Sequence, residues 1–169
     1  EKAINAKFLE NLDYLIYDVQ GLGSRVDTAI KALNMVLNAS AKSKIDLIIL
    51  DRPNPLGGEI LEGPIADTSY SSNFRIYPIP TRYGLTTAEL SLMAVQEKWL
   101  SMIPKIIIIL MDGWARDMYF DDTGLMWNIS HPNIPNLETA ILYTGMSIYE
   151  STNISEGKGT KKPFKQFGA

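Results

Sequence analysis

The period of the apolar residues changes several times along this chain, and each change marks an element. Ile4, Phe8, Leu9 and Leu12 recur at helical spacing and predict a helix over residues 2–12. Residues 14–19, preceded by Asp13, read as a short apolar strand. In residues 25–38, Val26, Ile30, Leu33, Val36 and Leu37 lie on one helical face, which predicts an amphipathic helix. Residues 46–50 are apolar without alternation, as in a strand covered on both faces. Residues 87–100 predict a helix capped by Thr86, with Leu90, Met93, Ala94 and Trp99 turned inward. Residues 105–111, rich in isoleucine, form a third buried strand, and residues 137–143 open a last helix.

Strand, helix, strand, long loop, helix, strand is the order of an α/β fold. The expected architecture is a Rossmann-like, doubly wound, mainly parallel sheet with long loops at the carboxyl ends of its strands. Ligands of such sheets bind outside those ends. An acid stands at the carboxyl end of each predicted strand, Asp18, Asp51 and Asp112 in turn. The loops 51–85 and 112–136 are long for a compact domain, and loops of that length are commonly functional.

Composition narrows the chemistry. With 46% hydrophobic and 21% charged residues, the chain is of globular type. Lys+Arg 16 against Asp+Glu 19 gives a net charge of −3, which supplies no electrostatic reason to bind nucleic acid. The absence of cysteine removes disulfides, a thiolate nucleophile and cysteine-ligated zinc. The single histidine, His131, excludes a His-rich metal site, and neither a metal nor another cofactor is expected. The longest apolar run, residues 106–111, falls far short of the roughly 20 residues of a membrane span.

Three segments carry candidate chemistry. In the first, Asp18, Gln20 and Arg25 surround Gly21 and Gly23; the glycines make either a tight turn or an incomplete phosphate-binding loop. The second is Asp51-Arg52-Pro53-Asn54-Pro55, where two prolines stiffen a strand-end loop that suits a preorganised polar site. Downstream, Glu62 lies among Ile60, Leu61, Pro64 and Ile65, so burial would raise its pKa and suit it to general acid work. The third segment, residues 150–160, is dense in hydroxyls, amides and acids; it contains Asn153, Glu156 and Lys158 and reads either as a sugar-binding surface or as a solvated loop.

Taken in order, these blocks resemble the NamZ-type exo-β-N-acetylmuramidases. The resemblance rests on Asp18-x-Gln20-x-x-Gly23-x-Arg25, Asp51-Arg52-Pro53-Asn54-Pro55 with Gly57-Gly58, Glu62-Gly63-Pro64, and Thr152-Asn153-Ile154-Ser155-Glu156-Gly157. It continues through Tyr77-Pro78-Ile79-Pro80, Gly113-Trp114 and Pro132-Asn133-Ile134-Pro135 and covers nearly the whole chain. It implies release of terminal N-acetylmuramic acid from the non-reducing end of peptidoglycan fragments, by a secreted or periplasmic enzyme.

The implied architecture is a Rossmann-like N-terminal domain and a smaller C-terminal domain, with the active site in a cleft between them. Residues 1–169 are expected to be most of the N-terminal domain, without the C-terminal one and without an upstream Pro-Glu-His-Gly segment. On this resemblance Glu156 and Glu62 are the catalytic candidates of this chain. Asp18, Gln20, Arg25, Asp51, Arg52, Asn54, Asn153 and Lys158 are the substrate-binding ones.

The chain departs from the family pattern at Gly21, where Asp is usual, at Asp27, where an aromatic is usual, and at Tyr83, where His is usual. Lys158 stands in place of Arg and lacks the fork that grips a carboxylate, such as the lactyl group of muramic acid. Two rival classes remain at this stage, a non-catalytic muropeptide-binding module and a nucleotide-using Rossmann enzyme.

Overall fold

A computed structural model describes residues 4–69, 76–128 and 131–169. Three parallel strands, β1 (Tyr14–Tyr17), β2 (Asp46–Leu50) and β3 (Ile106–Ile109), form an open sheet in the order β1-β2-β3. Tyr14 pairs with Asp46 and Leu47 with Ile106, so the strands run in step and end together. Helix α1 (Thr28–Ser43) connects the first pair and α2 (Thr87–Gln96) lies in the second connection. Right-handed crossovers put successive helices on one face when strand order advances in one direction. Both helices do share a face: Ile30, Leu33 and Leu37 of α1 and Ala88, Leu90 and Ala94 of α2 cluster with Tyr17, Leu47 and Ile49.

The opposite face remains open among the described residues. Tyr14, Ile16 and Ile109 are each more than half exposed, and burial alternates along β2. The uniformly apolar sequence of β2 therefore does not reflect cover on both faces in this chain.

A second core gathers Leu22, Leu56 and Phe120 from the strand-end loops with Leu137, Ala140 and Tyr143 of α3 (Leu137–Met146), and with Phe164. It anchors the C-terminal segment to the loops that follow β1 and β2.

Element edges differ from the sequence expectation for physical reasons. The expected helix over 2–12 is, from residue 4 onward, only a 3-10 turn at Ala6–Phe8. Phe8 and Leu12 are exposed and only Leu9 is buried, so little packing offsets the cost of nucleating a helix. Helix α1 starts three residues later than expected, because the Asp27 side chain accepts a hydrogen bond from Ala29 N and caps it. The same helix runs on to Ser43, ending at left-handed Lys44. Helix α2 stops at Gln96; Trp99 lies beyond it, stacked on Tyr77, and Met93 faces outward rather than inward.

Candidate functional site

The strand-end loops carry a floor made by two adjacent residues with opposite roles. Asp51 turns toward α2: its carboxylate accepts from the Thr86 hydroxyl at 2.9 Å and from Ala88 N at 2.9 Å. Thr86 completes the cap by accepting from Glu89 N, while Glu89 accepts from Thr86 N. Arg52 points the other way and its Nε donates to Asp18 Oδ1 at 2.6 Å. That bond holds the Asp18 carboxyl below its ordinary range and raises the Arg52 guanidinium.

Asn54 is buried. It donates to Leu85 O and accepts from Leu56 N, knitting the loop to the entrance of α2. Gln20 joins the two loops by donating from Nε2 to Pro53 O at 2.8 Å. Asp18, Gln20 and Arg52 line a groove of about 540 Å³ with Phe120, Met126 and Asn128. Asp51 and Asn54, expected to bind substrate, do not line it; they brace the loop that carries Arg52.

Behind this loop pair lies a second cleft of about 640 Å³. Arg25, Thr81, Arg82 and Glu62 form one wall, and Thr144 and Ile148 lie on the other. The Glu62 side chain is 64% exposed and pairs with Arg82 Nη1 at 3.0 Å. Its apolar sequence neighbours therefore do not desolvate it, and the premise for a general acid there is not met.

Arg82 itself is almost fully buried, which sequence reading missed. It donates to Leu56 O and to the Tyr119 hydroxyl, and its guanidinium lies over the Tyr119 ring. A cation in the otherwise apolar stretch 76–85 was the available signal.

The third group sits on the C-terminal segment. Glu156 is buried, with its side chain 11% exposed, and Lys158 Nζ lies 3.3 Å from its Oε1. The same ammonium donates to Glu150 Oε1 at 2.5 Å and sits over the Phe164 ring. Phe164 N in turn donates to Glu156 O, and Ser155 pairs with Gly168 across a short antiparallel bridge. Gly159 N donates to Asn133 Oδ1. This segment is therefore a loop knitted by its own hydrogen bonds, with Glu156 and Gly157 buried and most of its other residues exposed to solvent. Asn153 is exposed at its edge.

Gly21, Asp27 and Tyr83, the three departures from the family pattern, are neighbours. A Cβ at Gly21 would lie 3.5 Å from Asp27 Oδ2 and 4.0 Å from the Tyr83 hydroxyl. The Asp27 carboxylate accepts from Leu22 N and Ala29 N. Burial nonetheless pushes its pKa up, more than those bonds lower it. His131 accepts from Asn133 N through Nδ1, at 3.3 Å, and lies beside the Tyr143 ring, in a packing role. Ser130, its neighbour in the sequence, lies outside the described residues. The second glycine of the loop, Gly23, has φ +80° and abuts Asn54, so it serves the approach of two loops.

Among the described residues no three His, Asp or Glu side chains are arranged to hold a metal ion. No described helix is long and apolar enough to cross a membrane.

Comparison with known proteins matches residues 1–138 to the family model for the N-terminal part of exo-β-N-acetylmuramidase NamZ, and residues 141–169 to the model for its C-terminal part. The chain is 39% identical over 163 residues to the peptidoglycan β-N-acetylmuramidase NamZ of Bacillus subtilis, covering 96% of this chain and 39% of that protein. Two solved DUF1343 family proteins from Bacteroides fragilis superpose with TM-scores of 0.91 and 0.88, at 37% and 31% identity. They cover 98% and 99% of this chain, which spans 44% and 47% of theirs.

Proposed function

The chain belongs to the NamZ exo-β-N-acetylmuramidase family, and from that premise we propose that it serves the hydrolytic release of terminal N-acetylmuramic acid from the non-reducing end of peptidoglycan fragments. The observation that carries this reading is the 39% identity to a peptidoglycan β-N-acetylmuramidase across 96% of the chain. The partners are saccharides that contain N-acetylmuramic acid, met outside the cytoplasm as a secreted or periplasmic protein.

Glycoside hydrolysis needs a proton on the leaving oxygen and a negative group, or a water activated by one, on the other side of the sugar. Glu156, buried and ion-paired with Lys158, suits the negative role. Glu62, exposed and paired with Arg82, suits substrate contact more than proton donation. The loops 18–25 and 51–56 contribute to both cavities: a sugar in the groove meets Asp18, Gln20 and Arg52, and one in the cleft behind it meets Arg25.

The test is the variant Glu156→Gln, assayed on a chromogenic N-acetylmuramic acid glycoside with calorimetry on the disaccharide MurNAc-GlcNAc. Turnover is expected to fall at least about a hundredfold, the scale of a lost acid–base group, while the disaccharide still binds. Near-normal turnover in a folded variant removes Glu156 from the catalytic set. Binding without hydrolysis in the unsubstituted protein makes it a saccharide-binding module instead.

A further inference from the structure

We propose that a small recess lined by Tyr83, Gln20 and Thr87, adjoining the strand-end groove, takes the 4-hydroxyl of the terminal sugar and so reads the non-reducing chain end; this rests on the muramidase reading. The recess measures about 10 Å³, room for one water-sized oxygen. Gln20 and Arg52 line both it and the groove of about 540 Å³, so the two spaces share a wall. The groove is large enough for a sugar ring. The recess admits only an oxygen of that ring.

Its polar groups await a partner. Tyr83 is only 8% exposed, and its hydroxyl is bonded to no described residue. A buried hydroxyl left in that state costs stability until a partner arrives. An added β-carbon on Gly21, which also lines the recess, would lie 4.0 Å from that hydroxyl, so the oxygen end of the tyrosine is the end that reaches it. Thr87 stands at the start of α2. There Ala88 N and Glu89 N are taken by Asp51 and Thr86, while Thr87 N is bonded to no described residue.

Charge selects a neutral oxygen. Arg52 is matched by Asp18 at 2.6 Å, and the Asp51 carboxylate is bonded to Thr86, another residue of the lining. One positive and two negative groups leave no excess to hold an anion. Burial, more than the nearby Asp27, raises the Tyr83 phenol above its ordinary range, so it meets a ligand as a neutral hydroxyl. Such a group both donates and accepts, which suits another hydroxyl. Size then selects the chain end. A terminal 4-linked sugar carries a free hydroxyl at position 4, whereas an internal one continues there into a further ring. Space for one oxygen accepts the first and excludes the second.

Titration calorimetry with methyl β-N-acetylmuramide and its 4-deoxy, 6-deoxy and 4-O-methyl derivatives tests this. The 4-deoxy sugar is expected to bind about tenfold more weakly than the parent, the scale of one hydrogen bond. The 4-O-methyl sugar should bind more weakly still, and the 6-deoxy sugar like the parent. Tyr83→Phe is expected to weaken the parent by about tenfold and to leave the 4-deoxy sugar unchanged, because both changes remove the same bond. This variant loses a hydroxyl that no described residue bonds, so its thermal melt should match that of the unsubstituted protein. A Tyr83→Phe loss that persists on the 4-deoxy sugar overturns the assignment. So does parent-like binding of the 4-deoxy or the 4-O-methyl sugar, or an equal loss with the 6-deoxy one. These sugar comparisons on the unsubstituted protein decide the matter even if Tyr83→Phe fails to fold. Failure of all four sugars to bind overturns the muramidase reading itself.

Discussion

The side chain of Asn54 fills the space that a β-carbon on Gly23 would need: such an atom would lie 2.0 Å from Asn54 Oδ1. The contact locks the loop after β1 to the loop after β2. With the Gln20–Pro53 bond it makes the two strand-end loops one rigid ridge. Rigidity there matters because the groove and the cleft lie on opposite sides of that ridge.

Gly23→Ala therefore meets two costs, left-handed strain at φ +80° and a clash with a buried amide. The expected loss is about 2–4 kcal/mol, summing strain and overpacking. Urea denaturation measures it. A loss below the strain contribution alone would mean that the loops separate easily.

Asp51 and Arg52 separate stability from binding. Asp51→Ala removes the acceptor for Thr86 and Ala88 at the start of α2 and should cost about 1–2 kcal/mol, as for a lost helix cap. Arg52→Ala removes a half-exposed ion pair and should change stability by less than about 1 kcal/mol. Arg52→Ala should weaken saccharide binding more than its small stability change suggests. Melts paired with calorimetry on MurNAc-GlcNAc decide whether the two neighbours divide the work in this way.

Asp27 gives a pH dependence of defined sign. Burial raises its carboxyl above the ordinary 3.8, so the fold favours the protonated form. The stability it contributes is present in full below the ordinary value and is lost as pH rises through the folded one. Asp27→Asn should therefore lack that decline. The stability difference between the two proteins, followed by urea melts from about pH 3 to pH 7, should shift in favour of the Asn variant as pH rises. A difference independent of pH would show that Asp27 titrates alike in the folded and unfolded chain.

Much of the fold was legible along the chain. The β2 boundaries match residue for residue, and the start of α2 follows from Thr86 and Glu89, a local capping box. The edges of α1 were less legible, because Asp27 could have been a turn residue until its hydrogen bonds to Leu22 and Ala29 made it the cap. The short turn at Ala6–Phe8 shows the limit of periodicity: apolar spacing makes a helix only where a surface exists to bury it.

The candidate site divides along the same line. Sequence alone determined that polar chemistry gathers after the strands, because strand ends and turn-forming residues are local properties. It also carried the family resemblance, whose blocks are contiguous motifs. Only the tertiary structure decided which residue of each motif faces a cavity. Successive side chains in extended backbone point to opposite sides, and which side holds the N-terminus of α2 and which the open groove depends on packing far away in the chain. Asp51 thus became a brace and Arg52 a groove residue. Lys158 became the partner of two acids, Glu150 and Glu156, beside the ring of Phe164 in the second core.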